Sequence, residues 1–115
     1  MKSLKNCVKL ASKLTIYVPA TNNINTAADN TAQVEKTAAL LAGLFGGSTS
    51  TPAVGYWLSD AAGLVRENTT VVFAYAHEKD LEANIEKVID YCESLKSEMG
   101  QEAIALELNG EMYFI

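Results

Sequence analysis

Two glutamates stand among residues fit for a core. In the stretch Leu64–Ala76 the odd-numbered residues are Val65, Glu67, Thr69, Val71, Phe73 and Tyr75. On a strand these six share one face. Glu102 shares parity with Ile104, Leu106 and Leu108 in a later apolar run. A carboxylate on an apolar face must be paired, neutralised or placed at an exposed strand end. Two carboxylates in one half-buried site can divide the roles of acid and base. Arg66 is able to pair with an acid across the sheet, Gln101 brings an amide beside Glu102, and Trp57 brings an aromatic face from the preceding strand. Trp57, Arg66, Glu67, Gln101 and Glu102 are therefore the candidate ligand- or partner-binding residues, expected between sheet and helices. The competing reading is a structural ion pair.

Other catalytic constellations are missing. His77 is the single histidine, and it precedes a helical pattern as a helix-entry residue. Neither Cys7 nor Cys92 has metal-ligand spacing, so no metal site is expected. Cys92 falls on an apolar helix stripe, which argues for a reduced core thiol and against a nucleophile. The run Phe45-Gly46-Gly47-Ser48 leaves a helix where a phosphate loop would enter one, and it lacks the lysine. No catalytic residue and no cofactor is assigned.

The elements that must position these residues follow from periodicity. Leu14, Ile16 and Val18 alternate with polar residues up to Pro19, as a first strand does. Residues 20–31 are polar and turn-rich, a loop in which Asp29, Asn30 or Thr31 can cap the next helix. Val34, Ala38, Leu41 and Phe45 place that helix over about 31–45, ended by Gly46-Gly47. Residues 48–58 read as a strand, put at an edge by Pro52. Leu81, Ile85, Val88, Cys92, Leu95 and Met99 set a long helix over about 78–99, stopped by Gly100. Strands over 101–108 and 111–115 follow, joined by Asn109-Gly110, a strong hairpin signal because both turn residues need positive φ. The order is β-α-β-β-α-β with one added C-terminal strand. It predicts an α+β, ferredoxin-like sandwich, with two helices on one face of an antiparallel sheet.

Composition sets the outer bounds. The 115 residues suit one domain, with a basic segment over 1–12 and an α+β core over 13–115. No apolar run approaches the roughly 20 residues of a membrane span, and no secretory leader is evident, so a cytoplasmic protein is expected. Lys2, Lys5, Lys9 and Lys13 face no acid in the first thirteen residues, whereas residues 78–111 hold ten acids against three lysines. That acidic half argues against direct contact with nucleic acid. Both faces of the last hairpin are largely apolar, and two helices can cover one of them. The surplus face points to self-association as a dimer.

The pattern Gly55-Tyr56-Trp57, then Gly63–Tyr75, a helix with Ile85 and Tyr91, and Gln101-Glu102-Ala103-Ile104 resembles a group of short uncharacterised bacterial proteins. Similar chains are associated with phage and other mobile elements. The resemblance covers residues 14–115 and implies a ferredoxin-like fold with no established activity. By position it points to Trp57, Glu67, Gln101 and Glu102. The reading that results is a small acidic non-enzymatic binding module that acts on a protein partner, for instance as a mobile-element inhibitor of host defence. The alternative is a small-molecule or enzymatic site lined by Glu67 and Glu102.

Overall fold

The computed structural model describes residues 2–22, 26, 27 and 29–115. The elements run β1 (Ser12–Pro19), β2 (Thr21–Asn22), β3 (Thr26–Ala27), α1 (Thr31–Phe45), β4 (Thr49–Ser59), β5 (Gly63–Ala76), α2 (Glu78–Glu98), β6 (Ala105–Leu108) and β7 (Glu111–Phe114). The main sheet is antiparallel, in the order β4-β5-β1-β6-β7. Its first four strands follow a ferredoxin-like arrangement, and β7 extends the sheet beyond the four-strand pattern. The expected edge position of the Pro52 strand is observed in β4. The expected loop over 20–31 contains the small β2–β3 pair, and its residues 23–25 and 28 lie outside the described residues.

Both helices form for the reasons read from the chain. Leu41 and Phe45 of α1 and Leu81, Val88, Cys92 and Leu95 of α2 are buried against the sheet. Opposite them lie Leu14, Ile16 and Val18 of β1, Val72, Ala74 and Ala76 of β5, and Leu106 of β6. Each large side chain buried here contributes on the order of 1.5–3 kcal/mol of transfer free energy before the entropy cost. Gly46 ends α1 in the left-handed conformation at φ 98°, where its N–H bonds the Ala42 carbonyl. At the end of α2, Gly100 at φ 59° donates to Ser97 O and Gln101 donates to Lys96 O, the paired bonds of a Schellman cap.

The C-terminal hairpin has the register that its turn requires. Leu108 faces Glu111 and Leu106 faces Tyr113, while Ile104 and Ile115 exchange two backbone hydrogen bonds. Asn109 and Gly110 both adopt positive φ. The preceding strand is shorter than expected. Residues 101–103 stay out of the ladder because the Schellman cap and the Gln101 side chain hold that backbone. Gln101 Nε2 donates to Thr21 O at 2.7 Å and to Met99 O at 3.3 Å.

One feature of β4 and β5 was not anticipated. They pair over Thr49–Ser59 and Gly63–Phe73, but β1 pairs with β5 only over Thr69–Ala76. The stretches Val54–Ser59 and Gly63–Asn68 therefore run past the sheet as a two-stranded arm, and the molecule is 57 Å long. Leu58 is 79% exposed and Leu64 65% exposed on one face of this arm.

The face bearing Glu67 requires a correction. Val72, Ala74 and Ala76 take the helix-covered side, so the odd-numbered residues of β5 take the other. Glu67 is thus on the helix-free face, not between sheet and helices. Its neighbours there are only partly apolar cover: Val71 and Phe73 are half-buried, and Tyr75 is exposed. Phe73 meets Tyr75 edge-on at 6.1 Å between centroids, and Lys13 Nζ stands 4.6 Å from the Phe73 ring. A half-buried carboxylate on such a wetted face avoids the desolvation cost that a core position would impose.

Candidate functional site

Glu67 sits on β5 at the root of the arm, directly opposite Gly55 of β4. The next pair outward on the same face is Trp57 with Val65. Across from the arm stands the irregular segment 101–103, fixed by the Gln101 amide to the Thr21 and Met99 carbonyls. Between arm and segment lies an open cleft of about 500 Å³, lined by Gly55, Tyr56, Trp57, Glu67, Gln101, Glu102, Ala103 and Phe114. A smaller hollow of about 180 Å³ adjoins it and shares Glu67, Gln101, Ala103 and Phe114. The hollow reaches down to Tyr17 and Thr69 on the helix-free sheet face.

Four of the five residues expected from sequence meet here: Trp57, Glu67, Gln101 and Glu102. Arg66 does not line the cleft. It alternates with Glu67 along β5, so its side chain leaves the arm on the opposite face. Among the described residues it forms no ion pair. The route by which Glu102 arrives also differs from expectation. Parity with Ile104 would have sent it toward the helices, but residues 101–103 are not strand, so parity does not extend to them.

Tyr17 and Phe114 line the site and were not singled out. The Tyr17 hydroxyl donates to Glu107 Oε1 at 3.1 Å on the helix-free face. Partial burial and the neighbouring Glu107 carboxylate push the Tyr17 phenol above its ordinary value, so it stays protonated and able to donate. Phe114 is 72% exposed at the mouth of the cleft. The available signal was the hairpin register, which puts Phe114 and Ala105 together on the face away from Leu106. Thr69 Oγ1 donates to Val18 O at 3.0 Å and fastens β5 to β1 beneath the hollow.

The lining joins two carboxylates to aromatic side chains, with no lysine or arginine among the lining residues. Such a site favours a cation: the carboxylates supply charge, and the aromatic faces attract positive groups that cannot donate hydrogen bonds. Among the described residues no cluster of His, Cys, Asp or Glu suits a metal ion.

Neither a protein-family model nor a curated protein matches the chain. Solved structures do. A phage SAM lyase in complex with S-methyl-5'-thioadenosine superposes with a TM-score of 0.67 at 16% identity, over 95% of this chain and 94% of that one. A phage SAM lyase in the apo state gives 0.61 at 16% identity, over 90% and 87%. The likeness at this identity is one of fold. It overturns the expectation of a non-enzymatic binding module, because the nearly full-length match is to an enzyme and the chain holds a lined cleft. Missing nucleophile–base and metal-ligand spacings in the sequence were not sufficient ground for that expectation, because acid and aromatic side chains gathered from distant segments carry no such spacing. No helix among the described residues is long and apolar enough to cross a membrane.

Proposed function

We propose that this chain is a lyase for a sulfonium substrate of the SAM type, with the cleft between the arm and residues 101–103 as its active site. The observation that carries the proposal is the meeting of Glu67, Glu102 and Trp57 in one cleft without a basic residue. The fold shared with a phage SAM lyase supports the choice of substrate.

The chemistry suits such a site. A sulfonium is a permanent cation without an N–H or O–H, so an indole face is a fitting contact for it. The ammonium and hydroxyl groups of the same substrate donate hydrogen bonds, which carboxylates accept. In the reaction the carbon–sulfur bond breaks and its electron pair goes to sulfur, which leaves as a neutral thioether. The carbon's fourth bond is made instead by the substrate's own carboxylate oxygen, so the arm closes to a lactone and no water is added. The chain's part is to hold the extended cation with Glu67 and Glu102, and to keep water from the reacting carbon with Trp57 and Phe114.

The test is incubation of the full chain with SAM, followed by mass spectrometry of the products. Release of a methylthio nucleoside, lost in Glu67→Gln while the melting temperature is retained, is the expected result. Stable SAM with no binding heat in calorimetry would rule the proposal out.

A further inference from the structure

A second site lies on the opposite side of the sheet from the cleft. Ile85 and Ile89 of α2, Leu106 and Leu108 of β6, and Tyr113 and Ile115 near the C-terminus line a groove of about 250 Å³. The lining is almost wholly apolar. Ile85 and Ile89 are one helical turn apart and both half-buried. The helix projects exposed acids along the same flank, Glu82, Glu86 and Glu93, and β7 adds exposed Glu111 on the far side.

The chain itself carries a segment of complementary character. Leu4 and Val8 are 87% and 86% exposed, although they are aliphatic. They stand four residues apart in the sequence. Lys2, Lys5 and Lys9 accompany them without an acid. Residues 2–11 form only a single 3-10 turn, Leu4–Asn6, capped by the Ser3 hydroxyl. At the root of this segment Leu10 packs in a hollow with Phe45 and Tyr75, on the β5 side of β1. The groove lies on the β6 side of β1. The root is also held by Asn109 of the β6–β7 turn, whose Oδ1 accepts from Lys13 N and whose N–H donates to Lys13 O, yet Leu4 and Val8 stay exposed rather than seated in the chain's own groove.

We propose that the N-terminal segment of one copy docks in the α2–β7 groove of a second copy. Leu4 and Val8 enter between Ile85, Ile89 and Tyr113, while Lys5 and Lys9 meet Glu82 and Glu86. Charge complementarity selects this occupant, with apolar burial adding affinity. The interface is separate from the cleft and does not depend on the lyase reading.

The test uses the full chain and a charge exchange. In sedimentation experiments Lys5→Glu/Lys9→Glu weakens self-association about tenfold or more, as does Glu82→Lys/Glu86→Lys. Mixing the two variants restores association, because each then offers what the other lacks. Carbodiimide cross-linking of isotopically light and heavy chains joins Lys5 or Lys9 of one mass to Glu82 or Glu86 of the other. A wild-type chain that stays monomeric overturns the proposal, as do cross-links confined to single chains. Association unaffected by either variant, or not restored on mixing, overturns it equally.

Discussion

Gly55 stands directly opposite Glu67 in the β4–β5 ladder, and a methyl group in place of its α-hydrogen would be 3.8 Å from the Glu67 carbonyl oxygen. That is ordinary van der Waals contact. Backbone crowding therefore does not require glycine here, and Gly55 has no positive φ. What its missing side chain does is leave the space beside the Glu67 carboxylate open.

A larger residue at Gly55 should thus close the cleft without unfolding the protein. Gly55→Val is expected to keep or slightly raise the melting temperature, since valine suits a strand better than glycine does. SAM binding measured by calorimetry should weaken by about tenfold or more, roughly 1.4 kcal/mol. Unchanged binding would show that the substrate does not use the space beside Glu67.

Trp57 should separate binding from folding. It projects from the arm beyond the sheet, paired with Val65 and 38% exposed, so truncation removes little core packing. Trp57→Ala is expected to cost under about 1 kcal/mol of stability in urea titration, while the loss of a desolvated cation–π contact weakens SAM binding by roughly 2 kcal/mol, about thirtyfold in Kd. Trp57→Phe should recover part of that loss.

The helices are tied by a hydroxyl pair. Thr37 Oγ1 donates to the Gln33 carbonyl at 2.7 Å, and its single proton is then used. The Tyr91 hydroxyl, 2.6 Å away, must be the donor to Thr37 Oγ1. Tyr91→Phe removes this bond but leaves Thr37 its Gln33 partner. The expected cost is about 1 kcal/mol, read as a shift in the urea midpoint. Thr37→Val deprives a half-buried phenol of its acceptor and should cost about 1–3 kcal/mol.

The two thiols should differ in reactivity and in their effect at alkaline pH. Cys7 is exposed, whereas Cys92 is buried, and burial pushes the Cys92 thiol up to about 12 from 9.0. Native protein should therefore react with one equivalent of a thiol reagent at neutral pH, at Cys7. In the unfolded chain Cys92 releases its proton near its ordinary value, while the folded chain retains it. The unfolded state then binds fewer protons, so stability falls as pH rises from about 9 toward about 12. Comparing the wild type with Cys92→Ala across that range isolates the effect: the alanine variant should show the shallower decline.

Much of the local structure was legible in the chain. The α1 stripe of Leu41 and Phe45 and the α2 stripe from Leu81 to Met99 fixed both helices, because burying one apolar face demands that spacing. Asn109-Gly110 fixed the register of the last hairpin, since a two-residue turn with positive φ leaves one pairing. Trp57, Glu67, Gln101 and Glu102 were recognisable as polar or aromatic exceptions to their surroundings, and the fold brings them to one cleft. Arg66 was recognisable too, but strand alternation carries it to the opposite face.

The rest was decided by tertiary structure. Alternation along β5 says that Glu67, Val71 and Phe73 share a side, but it is symmetric with respect to which side the helices take. Only the docking of α1 and α2 on Val72, Ala74 and Ala76 settles that, and it moves Glu67 from a supposed core to an open cleft. The place of Glu102 likewise depends on a long-range hydrogen bond, from Gln101 to the Thr21 carbonyl 80 residues away, which lifts residues 101–103 out of the ladder. The chain by itself thus determined the elements and the chemical character of the site, because periodicity and turn chemistry are local. Which groups face one another was settled by packing, since that depends on contacts between segments far apart in the chain.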